Sequence, residues 1–358
     1  MSYPQGVPRI ANKTAGLTPP RSAQGELELI RRIRLRAPTV SHGEVRLGIG
    51  DDCALLRPRP GQEFAITTDL SIAGRHFRLE THPPESIGHR ALARGLSDLA
   101  AMGARPVAAF VSLAVPRELA GEWTTSFYDG LLDLARAHKA TLAGGDLSEA
   151  PVPLADIVLV GAVPAGKALL RSRARPGQML YVTGTLGGSA VGLARLETMP
   201  RAQIAKLRRN APNASSVPGS SMAILYATLS PHLYPQPRIA QGLSLRKHGM
   251  ATAAIDLSDG LSTDLMHLCE ESGIAAEIEA ERLPIHPGAT LEQALNGGED
   301  YELLFTAPPS ARIPKSIAGV PVTRIGRTLK RGGKRPAITL KTAQGPVPLS
   351  PRGWQHFS

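Results

Sequence analysis

Extended apolar runs alternate with helix-period runs along almost the whole chain, and this alternation limits the fold to helices layered on sheets. "EFAITTDL", "PVAAFVSLAVP", "ATLAGGDLS" and "LADIVLVGAV" read as strands, the second as a buried one. Among them lie two helical patterns, one from about Pro84 to a stop at Gly103, the other "ELAGEWTTSFYDGLLDLARAHK". A second block opens near Arg171 with "RARPGQMLYVTGTLGGSAVGLARL", read as strand, Gly-rich turn and helix. "AAIDLSDGLSTDLMHLCEESG" and "NGGEDYELLFTAP" continue it. The expected fold class is α/β (α+β). At 358 residues the chain has room for two domains, here 26–168 and 169–358. Residues 1–25 mix Pro, Gly and polar residues without period and read as a flexible extension, ahead of the helix-like "ELELIRRIR". Residues 36–43 are expected as coil, "RRNAPNASSVPGSS" as a loop and "LKRGGKRP" as a hairpin tip.

One device recurs inside this frame: an apolar strand ends in small residues and then an acid. It gives Asp69 in "AITTD", Asp146 in "TLAGGD", and Asp256 and Asp259 in "AAIDLSD", with Asp52 of "LGIGDDCALL" as a fifth. One such acid is usually a helix cap or turn former. Five at strand ends would gather on one rim of a layered fold. Asp98 shares a helical stripe with Gly88, Ala91, Gly95 and Met102 and is expected to be partly buried, an internal ion pair with Arg94 or Arg90 being the alternative. Asp51 and Asp52, adjacent in an extended chain, would point to opposite faces, so one is expected inward with a cation near it. Clustered carboxylates without clustered His or Cys select hard cations, and Mg²⁺ shares its shell with water and substrate phosphates. The acids therefore point to a phosphate-handling site with several Mg²⁺ ions.

Composition narrows the partners. The net charge of +11 suits phosphorylated ligands or nucleic acid, and equally a surface of solvated Arg. Single-strand recognition leans on aromatic platforms, and aromatics are only 4% here, so nucleic acid is not expected. Cys53 and Cys269 fit no CxxC spacing and read as small core residues in a reducing compartment. The longest apolar stretch, "VAAFVSLAV", is too short to span a bilayer, so a cytoplasmic protein without membrane association is expected. "GAVPAGKA" nearly spells a Walker A loop, but Ala168 stands where Ser or Thr is needed. Trp123, inside an amphipathic helix, reads as core.

Taken in order, "GIGDDCALL", "TTDLSIAGRHF", "LSDLAAMGA", "GGDLS", "AIDLSDG", "GGEDYELLFT" and the terminal "GWQHF" resemble the thiamine-monophosphate kinase family. That family shares one fold with aminoimidazole ribonucleotide synthetase and selenophosphate synthetase. The resemblance implies two domains: an N-terminal mixed sheet that pairs with its copy in a homodimer, and a C-terminal α/β sandwich that completes the site. It implies transfer of the γ-phosphoryl of ATP, the co-substrate, to thiamine phosphate. By motif position, Asp52, Thr67, Thr68, Asp69, Asp98, Asp146, Asp256 and Asp259 would ligate Mg²⁺. Gly145, Asp146, Arg171 and Ser258 would contact the nucleotide, and His76, Glu299 and Trp354 the thiamine phosphate. Asp146, Arg171 and Asp69 would carry catalysis. Gly95, Arg75, Leu147 and Gln355 stand where the family more often has Asn, an apolar residue, Thr and Asp. The competing readings are another ATP-using enzyme of the superfamily and a non-catalytic nucleotide- or nucleic-acid-binding protein.

Overall fold

The computed structural model describes residues 25–37, 43–209, 221–332 and 337–354; the expected N-terminal extension, most of the 36–43 coil and most of the "RRNAPNASSVPGSS" loop lie outside them. The first described element is α1 (Glu26–Arg36), whose Leu29 and Ile33 are buried, while Glu26 and Glu28 in the first turn and Arg34 and Arg36 in the last complement the helix dipole. A small hairpin, β1 (Val45–Leu47) with β2 (Leu55–Leu56), follows. Next come β3 (Gln62–Ile72), α2 (Pro84–Ala101), β4 (Arg105–Val115), α3 (Glu122–Ala137), β5 (Thr141–Glu149) and β6 (Leu154–Pro164). They form a mixed sheet in the order β3-β6-β4-β5, with β4 and β5 parallel and the other pairs antiparallel.

The second half contributes β7 (Met179–Thr183), α4 (Gly188–Thr198), α5 (Arg201–Arg209), α6 (Ser221–Leu233), α7 (Ile239–Lys247), β8 (Ala253–Asp256), α8 (Leu261–Ser272) and β9 (Ile274–Glu279). It ends with α9 (Leu291–Asn296), β10 (Leu303–Ala307), β11 (Ser316–Ile317), β12 (Val320–Lys330), β13 (Ile338–Thr342) and β14 (Gly345–Pro348). Its sheet runs β14-β13-β9-β12-β7-β10-β8, with β11 beside β12. β12 and β13 both flank β9 and do not pair with each other, so "LKRGGKRP" connects non-neighbouring strands and is not a hairpin tip; residues 333–336 of that run lie outside the described residues.

α2 is the axle of the molecule. It packs on α3, α7, β3, β6 and β8, and most of its residues are buried. It crosses α3 at close range because Gly88 lies against the Phe127 carbonyl and Gly130 against the Glu85 carbonyl, where a Cβ would collide with backbone. The small-residue stripe is thus divided between two neighbours: Gly88 meets α3, whereas Gly95 meets Thr67 and Asp69 of β3 and Leu159 of β6. The main core joins Leu92, Leu96, Phe127 and Ile157 of the first half to Ile239, Leu245, Leu303 and Phe305 of the second. That shared core fixes β3 and α2 against β8 and the segment before β10.

Along β3, alternation puts Thr67 and Asp69 toward α2, while Ile66, Thr68 and Leu70 face outward and are exposed. Asp69 and Asp146 lie within β3 and β5 rather than at strand ends, because both strands continue past the acid. The "GIGDD" stretch is a series of bends between β1 and β2, where strand alternation does not apply, so Asp51 and Asp52 are both exposed and neither points inward. The Asp51 carboxylate accepts from the Asp52 amide at 2.9 Å, and the nearby cation is Arg34, whose guanidinium lies against Gly50. Cys53 in the same loop is exposed, unlike the buried Cys269. Trp123 is partly buried and stacks on Phe127 at 5.8 Å.

Candidate active site

A cavity of about 670 Å³ opens where α2 and the residues after β3 meet the loops around β8, α8 and β10. Asp69, Asp98, Asp256, Ser258 and Asp259 line it. His76, Glu299 and Trp354 line the same cavity, Glu299 next to Ser258 and Trp354 next to Asp259 through backbone hydrogen bonds. The sequence separates these residues by up to 285 positions, so their meeting is a product of the fold. Asp256 ends β8, and the following turn places Ser258 and Asp259 at the N-terminus of α8. Asp264, one turn into α8, accepts from the amides of Asp259 and Gly260, each at 3.1 Å, and so fixes that turn. The tail is laid on the same helix end: Arg352 and Gly353 amides donate to Ser262 and Thr263 hydroxyls, and the Trp354 amide to the Asp259 carbonyl at 3.1 Å. Trp354 stays 47% exposed at the cavity.

The acids crowd one another. Thr67 donates its hydroxyl to Asp98, and Ser97 donates to Asp256 at 2.8 Å. Asp69 has one oxygen 3.5 Å from Arg94 Nε, while the other is buried without a hydrogen-bond partner. Burial first, then the Asp98 charge, pushes Asp69 up to about 6 and Asp256 up to about 7. Burial also raises Asp98, against the Thr67 hydrogen bond and the charge of Arg171. Asp264 rises to about 8 through burial and the charges of Asp256 and Asp259. Among the described residues no three His, Cys, Asp or Glu side chains converge to hold an ion unaided. An orphaned carboxylate oxygen among acids that resist ionisation, all hard oxygen donors, fits Mg²⁺, which completes its shell with water and phosphate oxygens.

These shifts set a pH dependence. In the folded chain Asp69, Asp256, Asp264 and Asp300 (about 7) hold protons well above the ordinary 3.8, so their contribution to stability is present at low pH and lost as pH rises to about 8. Buried His82, His89 and His232 act oppositely: burial lowers each below the ordinary 6.5, so they favour the fold increasingly up to that pH. Above about 6.5 the carboxyls act alone. The thermal midpoint measured without divalent ions should fall from pH 6.5 to 8.5, and Asp264→Asn should flatten that slope. A midpoint that is constant or rises over this range contradicts the assignment.

Glu299, also in the cavity wall, is held with a left-handed backbone (φ +65°), a conformation non-glycine residues reach at a cost. Its amide donates to the Ser258 carbonyl at 2.8 Å, and Arg90 Nη2 donates to both of its carboxylate oxygens at 2.8 Å. Burial pushes the Glu299 carboxyl up, but Arg90 and then Arg94 outweigh it and leave it below the usual range. Arg90 also donates to the carbonyls of His76 and His232. His232 faces His82 at 3.1 Å between Nε2 atoms and the Ser189 hydroxyl at 2.9 Å, both rings being kept neutral by burial and by Arg90. Asp300 turns away to accept from the Gly187 and Ser189 amides at the start of α4, and Glu302 pairs with Arg238. Three acids in "GGEDYE" therefore serve three different neighbours, and only Glu299 faces the cavity.

Residues 50–163 match the family description "AIR synthase related protein, N-terminal domain". Thiamine-monophosphate kinase of Escherichia coli (strain K12) is 40% identical over 94% of this chain and 99% of its own length. That of Bacillus subtilis (strain 168) is 34% identical over 93% and 99%. The chain belongs to the thiamine-monophosphate kinase family. Solved structures of the family agree: the enzyme from Stenotrophomonas maltophilia K279a superposes with a TM-score of 0.72 at 37% identity, covering 88% of this chain and 96% of its own. AaThiL complexed with AMPPCP and TMP superposes with a TM-score of 0.69 at 31% identity, covering 93% and 97%. The hydrogenase maturation protein HypE, at 18% identity and a TM-score of 0.67, shares the fold alone. The expected AIR-synthase-like α/β fold is thus the observed one.

Against this family background, the remaining positions named from sequence divide in two. Thr67 touches the cavity acids through Asp98, and Arg171, in a short 3₁₀ turn packed on α8 and β8, acts on Asp98 and Asp256 by its charge. Asp52, Thr68, Gly145 and Asp146 do not line the cavity. Thr68 and Asp146 are exposed, Asp146 in register with the exposed Ser112 of β4. Sequence reasoning missed His82, His232, Tyr301 and Asp264. It named Arg90 and Arg94 only as partners for Asp98, whereas Arg90 pairs with Glu299 and Arg94 with Asp69. The available signal was their spacing: Arg90, Arg94 and Asp98 are four residues apart, which stacks them along one side of α2.

Proposed function

We propose that this protein transfers the γ-phosphoryl group of ATP to thiamine phosphate, giving thiamine diphosphate and ADP. The observation that carries this reading is one cavity lined both by the hydrogen-bonded carboxylates Asp98 and Asp256 and by Glu299 and Trp354. AaThiL, which binds AMPPCP and TMP, is 31% identical across nearly the whole chain. The acceptor is itself a phosphate, already largely ionised because its second pKa lies near ~6, so no side chain has to act as a base. The protein's work is to align two anions and offset their charge. Asp69, Asp98, Asp256 and Asp259, which line the cavity, with Thr67 bonded to Asp98, are the residues that would hold Mg²⁺, and Asp52, Thr68 and Asp146, exposed outside it, would add ligands from its surroundings. Bound there, Mg²⁺ would supply the positive charge that phosphoryl transfer requires. Ser258 would contact the nucleotide from within the cavity, Gly145 and Asp146 would do so from outside its lining, and Arg171 would offset phosphate charge. His76, Glu299 and Trp354 face the thiamine moiety, whose thiazolium cation would gain about 0.5–2 kcal/mol from an indole face.

Residues 26–168 form the ATP-binding unit in this reading, and 169–358 complete the nucleotide and substrate site. The outward face of β3, with Ile66 at 64% and Leu70 at 44% exposure, suits burial against a second copy, giving a homodimer. No helix among the described residues is long and apolar enough to cross a membrane, in keeping with a cytoplasmic enzyme. The purified protein with ATP, Mg²⁺ and thiamine phosphate should yield thiamine diphosphate on chromatography, and none from free thiamine. ATP binding without product would overturn the proposal and favour a nucleotide-binding role. With a chiral thiophosphoryl ATP, direct in-line transfer should invert phosphorus, and net retention excludes it.

A further inference from the structure

We propose that Arg94 is the group that grips the acceptor phosphate, so that the protein takes thiamine phosphate in preference to thiamine. This rests on the kinase reading and adds a residue that reading does not use. Arg90, next to it on α2, is fully engaged by Glu299 and the His76 and His232 carbonyls. Arg78, at the cavity rim, pairs with Glu197 at 3.2 Å. Arg94 differs from both. Its side chain is only 19% exposed and lines the cavity, yet its ion pair with Asp69 is 3.5 Å long, beyond the range of a strong charge-assisted hydrogen bond. A guanidinium offers five N–H donors in a planar fork that matches phosphate oxygens.

Its position assigns the anion. Arg94 pairs with Asp69 and lines the same cavity as Asp98, Asp259, Glu299 and Trp354, so its guanidinium is open to a ligand that meets both groups of residues. A phosphate attached to a thiamine ring lying by Glu299 and Trp354 would meet Asp69 and its neighbouring acids where Arg94 pairs with Asp69. There the carboxylates alone would repel it, and Arg94 supplies the compensating charge. Gly95 makes the placement possible: a Cβ at that position would lie 2.8 Å from Leu159 Cδ1 and 3.3 Å from Thr67 Cγ2, so glycine lets α2 settle on β3 and carries Arg94 over Asp69.

Calorimetric titration of the full chain with thiamine phosphate and with thiamine, for wild type, Arg94→Gln and Arg94→Lys, tests this. Arg94→Gln should weaken thiamine phosphate by at least about tenfold while changing thiamine by less than about twofold, since a charged hydrogen-bond pair is lost only with the phosphorylated ligand. In turnover, KM for thiamine phosphate should rise with KM for ATP unchanged. Arg94→Lys, which keeps the charge but loses the fork, should fall between the two. Equal weakening of both ligands, a raised KM for ATP alone, or unchanged thiamine phosphate binding in either variant overturns the proposal. Failure of the wild type to make thiamine diphosphate would instead strike the kinase reading, while the two binding titrations still report on Arg94.

Discussion

Asp256→Asn should lose phosphoryl transfer by at least about a hundredfold, the scale on which removing one preorganised electrostatic group acts, while making the protein more heat-stable at pH 8 in the absence of Mg²⁺. Both effects come from the same carboxylate. Asp256 is 2% exposed, accepts from Ser97 and has Asp98 and Asp69 for neighbours, so burial and those charges raise it to about 7. At pH 8 the ionised form is a cost to the folded state that Asn does not carry, and Asn can still accept from Ser97. At pH 5 wild-type Asp256 is protonated when folded but still ionised when unfolded, so the advantage of Asn should shrink there and vanish only below about 3.8. The measurements are the thermal midpoint of both proteins at the two pH values and the rate of thiamine diphosphate formation. Retained turnover would remove Asp256 from the site, and a midpoint lowered at pH 8 would mean that its charge supports the fold.

Such a residue is legible in sequence because its burial is encoded locally. Asp256 ends a short apolar strand and Asp98 sits on an apolar helix, and strands such as β4 and β6 could be read for the same reason: their apolar runs are continuous. The rule drawn from the recurring acids was narrower than the fold. Asp69 reaches the cavity from inside β3 because strand alternation turns it toward α2, while Asp146, also inside a strand, is exposed on β5. Of the adjacent acids at 51 and 52, one points inward only if the loop is extended, and it is a series of bends instead. Reading "LKRGGKRP" as a hairpin failed because β9 from an earlier segment inserts between β12 and β13, a choice made by tertiary packing. What no local pattern could reveal was pairing at a distance: Arg90 with Glu299 across 209 residues, or His82 with His232 across 150.

Arg90→Met tests that long-range pairing, and it should destabilise the protein by about 3 kcal/mol, the lower end for breaking a buried ion pair because Glu299 keeps some exposure. Met preserves most of the side-chain volume, so the loss reports the donors. Glu299 would keep the charge of Arg94 but lose the cation hydrogen-bonded to both its oxygens, in a strained backbone, and the carbonyls of His76 and His232 would each lose a donor. Because Arg90 holds Glu299 and the His76 segment together, that wall of the cavity should loosen with it, raising KM for thiamine phosphate more than KM for ATP. Glu299→Gln on its own should cost less stability, since an amide tolerates burial better than an unpaired charge. In the double variant the two losses should fall short of additivity by at least about 1 kcal/mol, as expected for residues in direct contact. Strict additivity would mean that the pair carries no coupling energy, and that wall would then have to be organised by the backbone hydrogen bonds of residues 297–302 alone.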